Sequence, residues 1–373
     1  MPLSGRPWGR RAAALVVVVT GAGLLAPDAG PVAAQPAAAR EPGPARLADA
    51  GGGLRAADVA LSGAARTVEA VDDFAMVGLT WRGTPREVRI RTRHDGRWSG
   101  WRDLELLRDG PDRSPRGVTG TDLAWVGEAD AVRVDLDGPA PSGLTLTLLD
   151  PTGLPADVAA RAVEPAVRTA ARGLKPRLRS RASWGANPRW REMPARYNHT
   201  IKQVHVHHTV NSNSYSRGDV PGLLRGIYRY HTHNLGWSDI GYNFLVDRFG
   251  RTWVGRGGGA RKPVQGAHTL GFNGTSTGVA VIGNFETTRP SKAVVGALAR
   301  LSGWKLHGYR RDPQARIRVT SAGSDRFGRG RKVVLPVIDG HRDTNETACP
   351  GALLYERLPD VRRRAASWIA RHR

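Results

Sequence analysis

The sequence predicts a small all-β, sandwich-like domain followed by an α/β domain with a central mixed β-sheet flanked by helices. Three observations carry this reading. Between residues 71 and 150, apolar and polar residues alternate over short runs, the period of half-buried strands. After residue 179 such runs alternate with segments of helical spacing around one wholly apolar run, GVAVIG at 278–283. That is the pattern of a buried strand between helices. The stretch joining the two regions is crowded with proline, alanine and arginine.

In chain order, residues 1–34 read as a signal peptide. Arg6, Arg10 and Arg11 precede an apolar run from Ala12 to Ala26, and small residues follow around Val32–Ala34. This is the three-part pattern of a secretory leader, and Arg10-Arg11 admits twin-arginine export. The run is shorter than the roughly 20 residues a bilayer span needs, so no membrane span is expected after cleavage. Residues 35–70, rich in Ala, Pro, Gly and Arg, read as a flexible tether. The all-β domain is placed at 71–150. FAMVGLTW (74–81), EVRIRTR (87–93), AVRVDL (131–136) and LTLTLLD (144–150) are its strands. His94-Asp95-Gly96 and Asp109-Gly110-Pro111 are turns between them. Trp81, Trp98, Trp101 and Trp125 either pack this domain or stack on glycan.

Residues 151–178 carry Pro151, Pro155, Pro165 and Pro176, spacing that no long helix tolerates, and are read as a linker. The α/β domain is placed at 179–373. QVHVHHT (203–209) alternates as a strand. Asp219 and Pro221 open a helix carrying Leu223, Leu224, Ile227 and Tyr228, closed by Gly236. GYNFLVD (241–247) and RTWVG (251–255) form a hairpin about Arg248-Phe249-Gly250. Ser291 caps a helix with Val294, Val295, Leu298 and Leu301. Residues 316–338 form a second hairpin, and a last helix runs from about Leu353 to Ile369.

The formal net charge is +23. Such a charge favours anionic partners by long-range attraction. For an exported, secreted or wall-associated chain these are anionic wall polymers and lipid headgroups rather than nucleic acid. Arg362–Arg364, Arg371 and Arg373 add basic residues to the C-terminal end, where a solvated helix face is the simpler reading.

Chemistry concentrates in the second domain, where ten of the eleven histidines lie after residue 198. On the strand 203–209, His205 and His207 point to one face and His208 to the other. Cys349 is the single cysteine, which excludes an intramolecular disulfide. It leaves intermolecular pairing, a reactive thiol or a metal ligand. His341 precedes it by eight positions in GHRDTNETACPG (340–351). Two ligands of one zinc ion have donor atoms within about 4 Å of each other, whereas eight helical residues span roughly 12 Å. The intervening segment must therefore fold back, and Asp343, Thr344, Asn345 and Thr347 are turn formers. A third ligand from the 205–208 strand completes a His-His-Cys site with one open position, the arrangement of a catalytic zinc. From the residues alone, His205 and His207 are rival ligands, and a buried inert cysteine is the plain alternative.

These segments resemble a known family over about Arg181 to Leu358. The likeness rests on RASWGA (181–186), VHHT (206–209), WSDIGYNFLVDRFGR (237–251), GRGGG (255–259), GAH (266–268), GVAVIGNF (278–285) and GHRDTNETACPG (340–351), in matching order and spacing. The family is the zinc-dependent N-acetylmuramoyl-L-alanine amidases, which includes peptidoglycan recognition proteins and the lysozyme-like amidase of a T-odd bacteriophage. The resemblance implies cleavage of peptidoglycan between the lactyl group of N-acetylmuramic acid and L-alanine of the stem peptide. It implies Zn2+ held by His207, His341 and Cys349, and catalytic roles for Tyr242 and Thr347. It places His268 at the rim of a substrate groove with Asn273 near it. Arg256 is its third substrate-binding position, in a segment (Trp253-Val254-Gly255-Arg256) where many relatives read Tyr-Glu-Gly-Arg. Zinc chemistry then lowers the pKa of water toward about 7 and polarises the amide carbonyl. Tyr242 donates to the developing oxyanion, Thr347 orients the water or the intermediate, and His268 is a candidate proton donor to the leaving amine. Two alternatives stand beside this: a cysteine-nucleophile wall hydrolase, and a non-catalytic peptidoglycan-binding protein.

Overall fold

The computed structural model describes residues 42–62, 67–84, 87–107, 110–111, 117–151 and 173–372. The signal-peptide reading and most of the proline-rich linker lie outside these. Among the described residues, no helix is long and apolar enough to cross a membrane.

The first domain is all β. Its strands are β1 (Ala48–Asp49), β2 (Arg55–Ala60), β3 (Thr67–Arg82), β4 (Val88–His94), β5 (Arg97–Trp98), β6 (Arg102–Leu104), β7 (Val118–Gly120), β8 (Ala124–Leu136) and β9 (Thr145–Asp150). They form a nine-stranded sheet in the order β1-β2-β9-β3-β8-β4-β5, with β6 on β4 and β7 on β3. Its ladders are antiparallel, and the register of β3 on β8 shifts between Glu69 and Met76, where bulges bend the long strand. Alternate residues of the strands meet in a core that includes Val77, Leu79, Trp81, Ile90, Val132 and Leu146. Trp81 is therefore a core residue. Trp98 and Trp101 instead lie under the guanidinium of Arg91.

One boundary differs from the expectation. The tether expected over 35–70 contains β1 and β2, and β2 pairs along its whole length with β9. Leu47, Leu54 and Leu61 are buried. These strands are short and made largely of alanine and aspartate, so their sequence shows little apolar alternation. The pairing partner supplies the order that local propensity does not.

The second domain contains β10 (Leu178–Arg179), β11 (Gln203–His208), α1 (Val220–Arg229), β12 (Phe244–Val246), β13 (Thr252–Val254), β14 (Ser276–Val281), α2 (Lys292–His307), β15 (Arg316–Thr320), β16 (Lys332–Pro336), β17 (Ile338–Gly340), α3 (Ala352–Tyr355) and α4 (Leu358–Ala370). Its mixed sheet runs β10-β13-β12-β14-β11-β17. β11 is parallel to both β14 and β17, and the hairpin β12–β13 is antiparallel. The expected cap is present, with Ser291 Oγ accepting from the Val294 N–H at 3.3 Å. The last helix is two helices, because Pro359 sits in the first turn of α4, where a missing N–H is harmless but helix continuation from before is not. Val204, Val206, Val279 and Val281 pack under α2 and α4. His205 and His207 thus face the other side of the sheet.

That other side is covered by α1, every residue of which is buried. One face of α1 packs on the mixed sheet, and the other packs on the first domain. Leu54, Met76, Leu123 and Leu149 share a core with Leu223, Leu224, Ile227, Leu245 and Trp253. Tyr230 follows α1 and inserts its ring over Gly78, where a Cβ would lie 2.7 Å from the ring. Its hydroxyl donates to Leu79 O at 2.9 Å and to Thr121 O at 3.0 Å. At the same junction Asp58 accepts from Asn234 Nδ2 at 2.7 Å and from Thr147 Oγ1 at 2.7 Å. Burial opposes its charge, yet hydrogen bonds from His233, Thr147 and Asn234 and the charge of Arg229 hold the Asp58 carboxyl below the usual carboxylate range. The described residues accordingly form one compact unit.

Candidate metal centre

The parallel register of β11 on β17 builds the centre. It pairs Val206 with Gly340, so the next residues, His207 and His341, emerge side by side. Their ring centroids are 4.7 Å apart. The segment after His341 then folds back as its turn formers require. His341 O accepts from the N–H groups of Thr344 and Asn345, each at 3.0 Å, and Arg342 N–H donates to Cys349 O at 2.9 Å. Asp343 braces the loop by accepting from Gly340 N–H at 2.9 Å and from Tyr355 Oη at 2.7 Å. Cys349 Sγ arrives 3.8 Å from His207 Nδ1, and the cysteine is buried.

One ligand atom each from His207, His341 and Cys349 lie within 4.8 Å of one another. Around a tetrahedral zinc with bonds of about 2.0–2.3 Å, donors stand about 3.3–3.8 Å apart. The Cys349 Sγ–His207 Nδ1 pair is at that spacing, and two imidazoles and a thiol are a donor set that zinc takes. The backbone N–H of His208 donates to Cys349 Sγ at 3.4 Å, which favours the thiolate. The second nitrogen of His207, Nε2, lies 3.2 Å from His268 Nδ1 and 3.3 Å from Thr269 Oγ1. Such partners fix ring orientation and tautomer at metal-binding histidines. Burial, together with the neighbouring histidines, pushes His207 well below the ordinary histidine range. The ring therefore stays neutral, the form that binds metal.

The rival ligand, His205, lies outside this cluster of three donors. Its Nδ1 is 2.5 Å from Asp339 Oδ1, and both side chains are fully buried. Burial raises Asp339 to about 6, against the pull of His205. Tyr242 lies beside the ligands, its ring centroid 5.5 Å from that of His207. Thr347 Oγ1 accepts from Cys349 N–H at 3.1 Å.

Of the three residues expected at the substrate groove, His268 is placed differently. His268 is fully buried, not at a rim. Its ring is clamped so closely that a Cβ on Gly278 would lie 2.3 Å from it, and it faces His207. Arg256 donates to Ile240 O at 3.0 Å and to Ser238 Oγ at 2.8 Å, tying down the segment before Tyr242. Asn273 accepts from His268 N–H at 2.9 Å and donates to Gly110 O at 2.8 Å. Its amide is thus spent on holding His268 and on the first domain.

One residue at the centre carries no sequence signal of its own. Glu105 reaches in from the first domain, accepting from Thr347 Oγ1 at 2.9 Å and meeting His208 Nε2 at 3.3 Å. Its surrounding segment, DLELL, has no motif.

Residues 197–352 match the family described as N-acetylmuramoyl-L-alanine amidase. This span contains all three clustered donors. Residues 27–171 match the family described as Rv3811 N-terminal galactose-binding domain-like, in accord with strands that begin before residue 71. Over 153 residues the chain is 30% identical to peptidoglycan-recognition protein SC2 of Drosophila simulans, covering 41% of this chain and 70% of that protein. The chain belongs to the family of N-acetylmuramoyl-L-alanine amidases and peptidoglycan-recognition proteins. A human N-acetylmuramoyl-L-alanine amidase is 30% identical over 189 residues, 49% of this chain and 28% of the human one. The solved structure of wild-type Drosophila PGRP-LB aligns at 27% identity with a TM-score of 0.38, covering 49% of this chain and 92% of that one. The centre thus occupies the amidase-family portion of the chain, and the first domain adds Glu105 to its edge.

Proposed function

We propose that this protein is an exported peptidoglycan hydrolase. It cleaves the amide between the lactyl group of N-acetylmuramic acid and L-alanine of the stem peptide, using zinc held by His207, His341 and Cys349. The observation that carries this is the convergence of two imidazoles and the chain's single thiol within 4.8 Å, in a member of the amidase family. Zinc bound there supplies Lewis-acid chemistry, lowering the pKa of water toward about 7 and polarising the amide carbonyl. His208 N–H supports the sulfur as thiolate, and His268 with Thr269 holds the His207 ring. Tyr242 donates its hydroxyl proton toward the oxyanion that develops on the scissile carbonyl, the role of an oxyanion-hole side chain. Thr347 is placed to orient the water or the developing tetrahedral carbon. The leader at residues 1–34 carries the protein out of the cell, and the net charge of +23 favours retention on anionic wall polymer.

Mass spectrometry of muropeptides after digestion tests the reading. The expected products are lactyl-terminated glycans and stem peptides with free L-alanine amino termini. A chelator should abolish them and zinc restore them. Cuts between sugars or within the peptide would refute the amidase assignment. Activity that resists chelator but not thiol alkylation would favour the cysteine nucleophile, and wall binding without any cut would favour a recognition protein.

The role given to His268 has its own test. His268→Ala should weaken zinc affinity about 10–100-fold, measured by competition with a chromophoric chelator. Unchanged affinity would mean that His268 serves packing alone.

A further inference from the structure

We infer that Glu105, supplied by the galactose-binding-like domain, is a positioning residue of the amidase centre that acts through Thr347. The inference rests on the amidase reading of that centre. It begins with how firmly Glu105 is placed. Its carbonyl accepts from Asp122 N–H at 2.8 Å, and the next residues bridge to the same segment, with Leu107 N–H donating to Gly120 O at 2.9 Å. That segment is in turn held by the second domain, since Tyr230 donates to Thr121 O. A few residues on, Gly110 O accepts from Asn273. Glu105 therefore sits on backbone anchored on both sides to the domain that carries the metal ligands.

The carboxylate then makes two contacts with that domain. Thr347 Oγ1 donates to Oε1 at 2.9 Å. His208 accepts from Phe285 N–H at Nδ1, 3.2 Å away, so the neutral ring carries its proton on Nε2 and presents it to Oε2. Burial works against the charge on Glu105, but His208, Thr347 and Arg342 hold its carboxyl below the usual carboxylate range. The consequence falls on Thr347. Its one hydroxyl proton goes to Glu105, and one lone pair takes the Cys349 N–H. The hydroxyl rotor is fixed, leaving an acceptor lone pair as what Thr347 can offer to water or substrate. Without Glu105 the same hydroxyl is free to rotate and to donate instead. The cleft at this edge, about 780 Å³, is lined from both domains, by Arg102, Asp103 and Glu105 on one side and Asn284, Glu286 and Thr347 on the other. The first domain therefore walls the cleft beside Thr347 and is more than a spacer.

A double-mutant cycle on the full chain tests this, with muropeptide turnover, zinc content and thermal midpoint read for each variant. Glu105→Ala should lower kcat roughly 10–100-fold, the usual effect of losing an outer partner of a metal site. KM and bound zinc should stay near wild type. Glu105→Gln, whose carbonyl still accepts from Thr347, should recover much of the loss. In a Thr347→Ala background, Glu105→Ala should change kcat by no more than about twofold, because the two residues act as one unit. Wild-type kcat in Glu105→Ala, a loss fully additive with Thr347→Ala, or a loss that merely follows zinc content or thermal midpoint would each overturn the positioning role. Absence of turnover in the wild-type control would instead overturn the amidase reading, and the inference with it.

Discussion

Cys349→Ala should leave a folded protein that neither retains zinc nor cuts muropeptides. The side chain is small and buried, and its removal opens only a minor void. Its hydrogen-bond partner, the His208 N–H, lies on a strand held on both sides by β14 and β17. The thermal midpoint of metal-free protein should therefore shift little. The effect on chemistry should be far larger. Lewis-acid stabilisation of the transition state is worth several kcal/mol, so losing the ion should lower kcat roughly a thousandfold or more. Zinc per chain, measured by elemental mass spectrometry, should fall with activity. Sedimentation with insoluble cell wall should persist, because cleft residues such as Asn284 and Thr347 remain. The rival thiol mechanism also predicts loss of activity in Cys349→Ala, but with zinc content unchanged and wild-type activity indifferent to chelator. Zinc retained at wild-type level in the variant would exclude Cys349 as a ligand.

The candidate centre was largely legible because its three donors lie in short segments whose geometry is local. Strand alternation put His205 and His207 on one face, and turn formers returned Cys349 to His341. What alternation left open was which histidine of that face joins the cluster. The fold brings His207, and not His205, within 4.8 Å of His341 and Cys349, while Asp339, far along the chain, holds His205 Nδ1. The burial of His268 is equally non-local. It depends on Gly278, in β14, leaving room for the ring of a loop residue. Gly266, two residues before His268, also crowds that ring, and the pair of glycines is the one sequence trace of the clamp. Glu105 left no trace at all, since a glutamate in DLELL, beside Asp103, reads as solvated surface. In the fold, strands with clear alternation and the Ser291 cap were readable. The β1–β2 segment was not, because its order comes from β9, about ninety residues later. The packing of the two domains on each other was hidden for a related reason. The spacing of Leu223, Leu224 and Ile227 marks one apolar face of α1, yet Gly222, Gly226 and Tyr230, which receive Pro151, Met76 and Gly78 on the other side, carry no hydrophobic pattern.

That shared core carries the second large expectation. Tyr230→Ala should destabilise the whole described unit by about 3–5 kcal/mol, the range for truncating a large buried aromatic. The ring is fully buried, and its hydroxyl satisfies the carbonyls of Leu79 and Thr121. Tyr230→Phe keeps the ring and removes only that one donor; Leu79 O keeps the Thr121 N–H, so the cost should be about 1–3 kcal/mol, the penalty for leaving the buried Thr121 carbonyl unpaired. Urea unfolding followed by tryptophan fluorescence and by far-ultraviolet circular dichroism separates the two parts of the effect. With Trp81 in the first core and Trp184 and Trp253 in the joint core, fluorescence reports on both. Coincident transitions are expected for the wild type, since Met76 and Leu123 cannot leave α1 without exposing it. Tyr230→Ala should shift both probes together or split them, with the first domain melting early. If the variant unfolds at the wild-type midpoint, the two domains are merely adjacent. Glu105 would then be too loosely held to position anything. The same tyrosine thus links stability to chemistry: it pins Thr121, the Thr121–Asp122 segment pins Glu105, and Glu105 pins the hydroxyl of Thr347. Tyr230→Ala should therefore lower kcat even under conditions where the protein remains folded and zinc-loaded, by an amount that does not exceed the effect of Glu105→Ala itself.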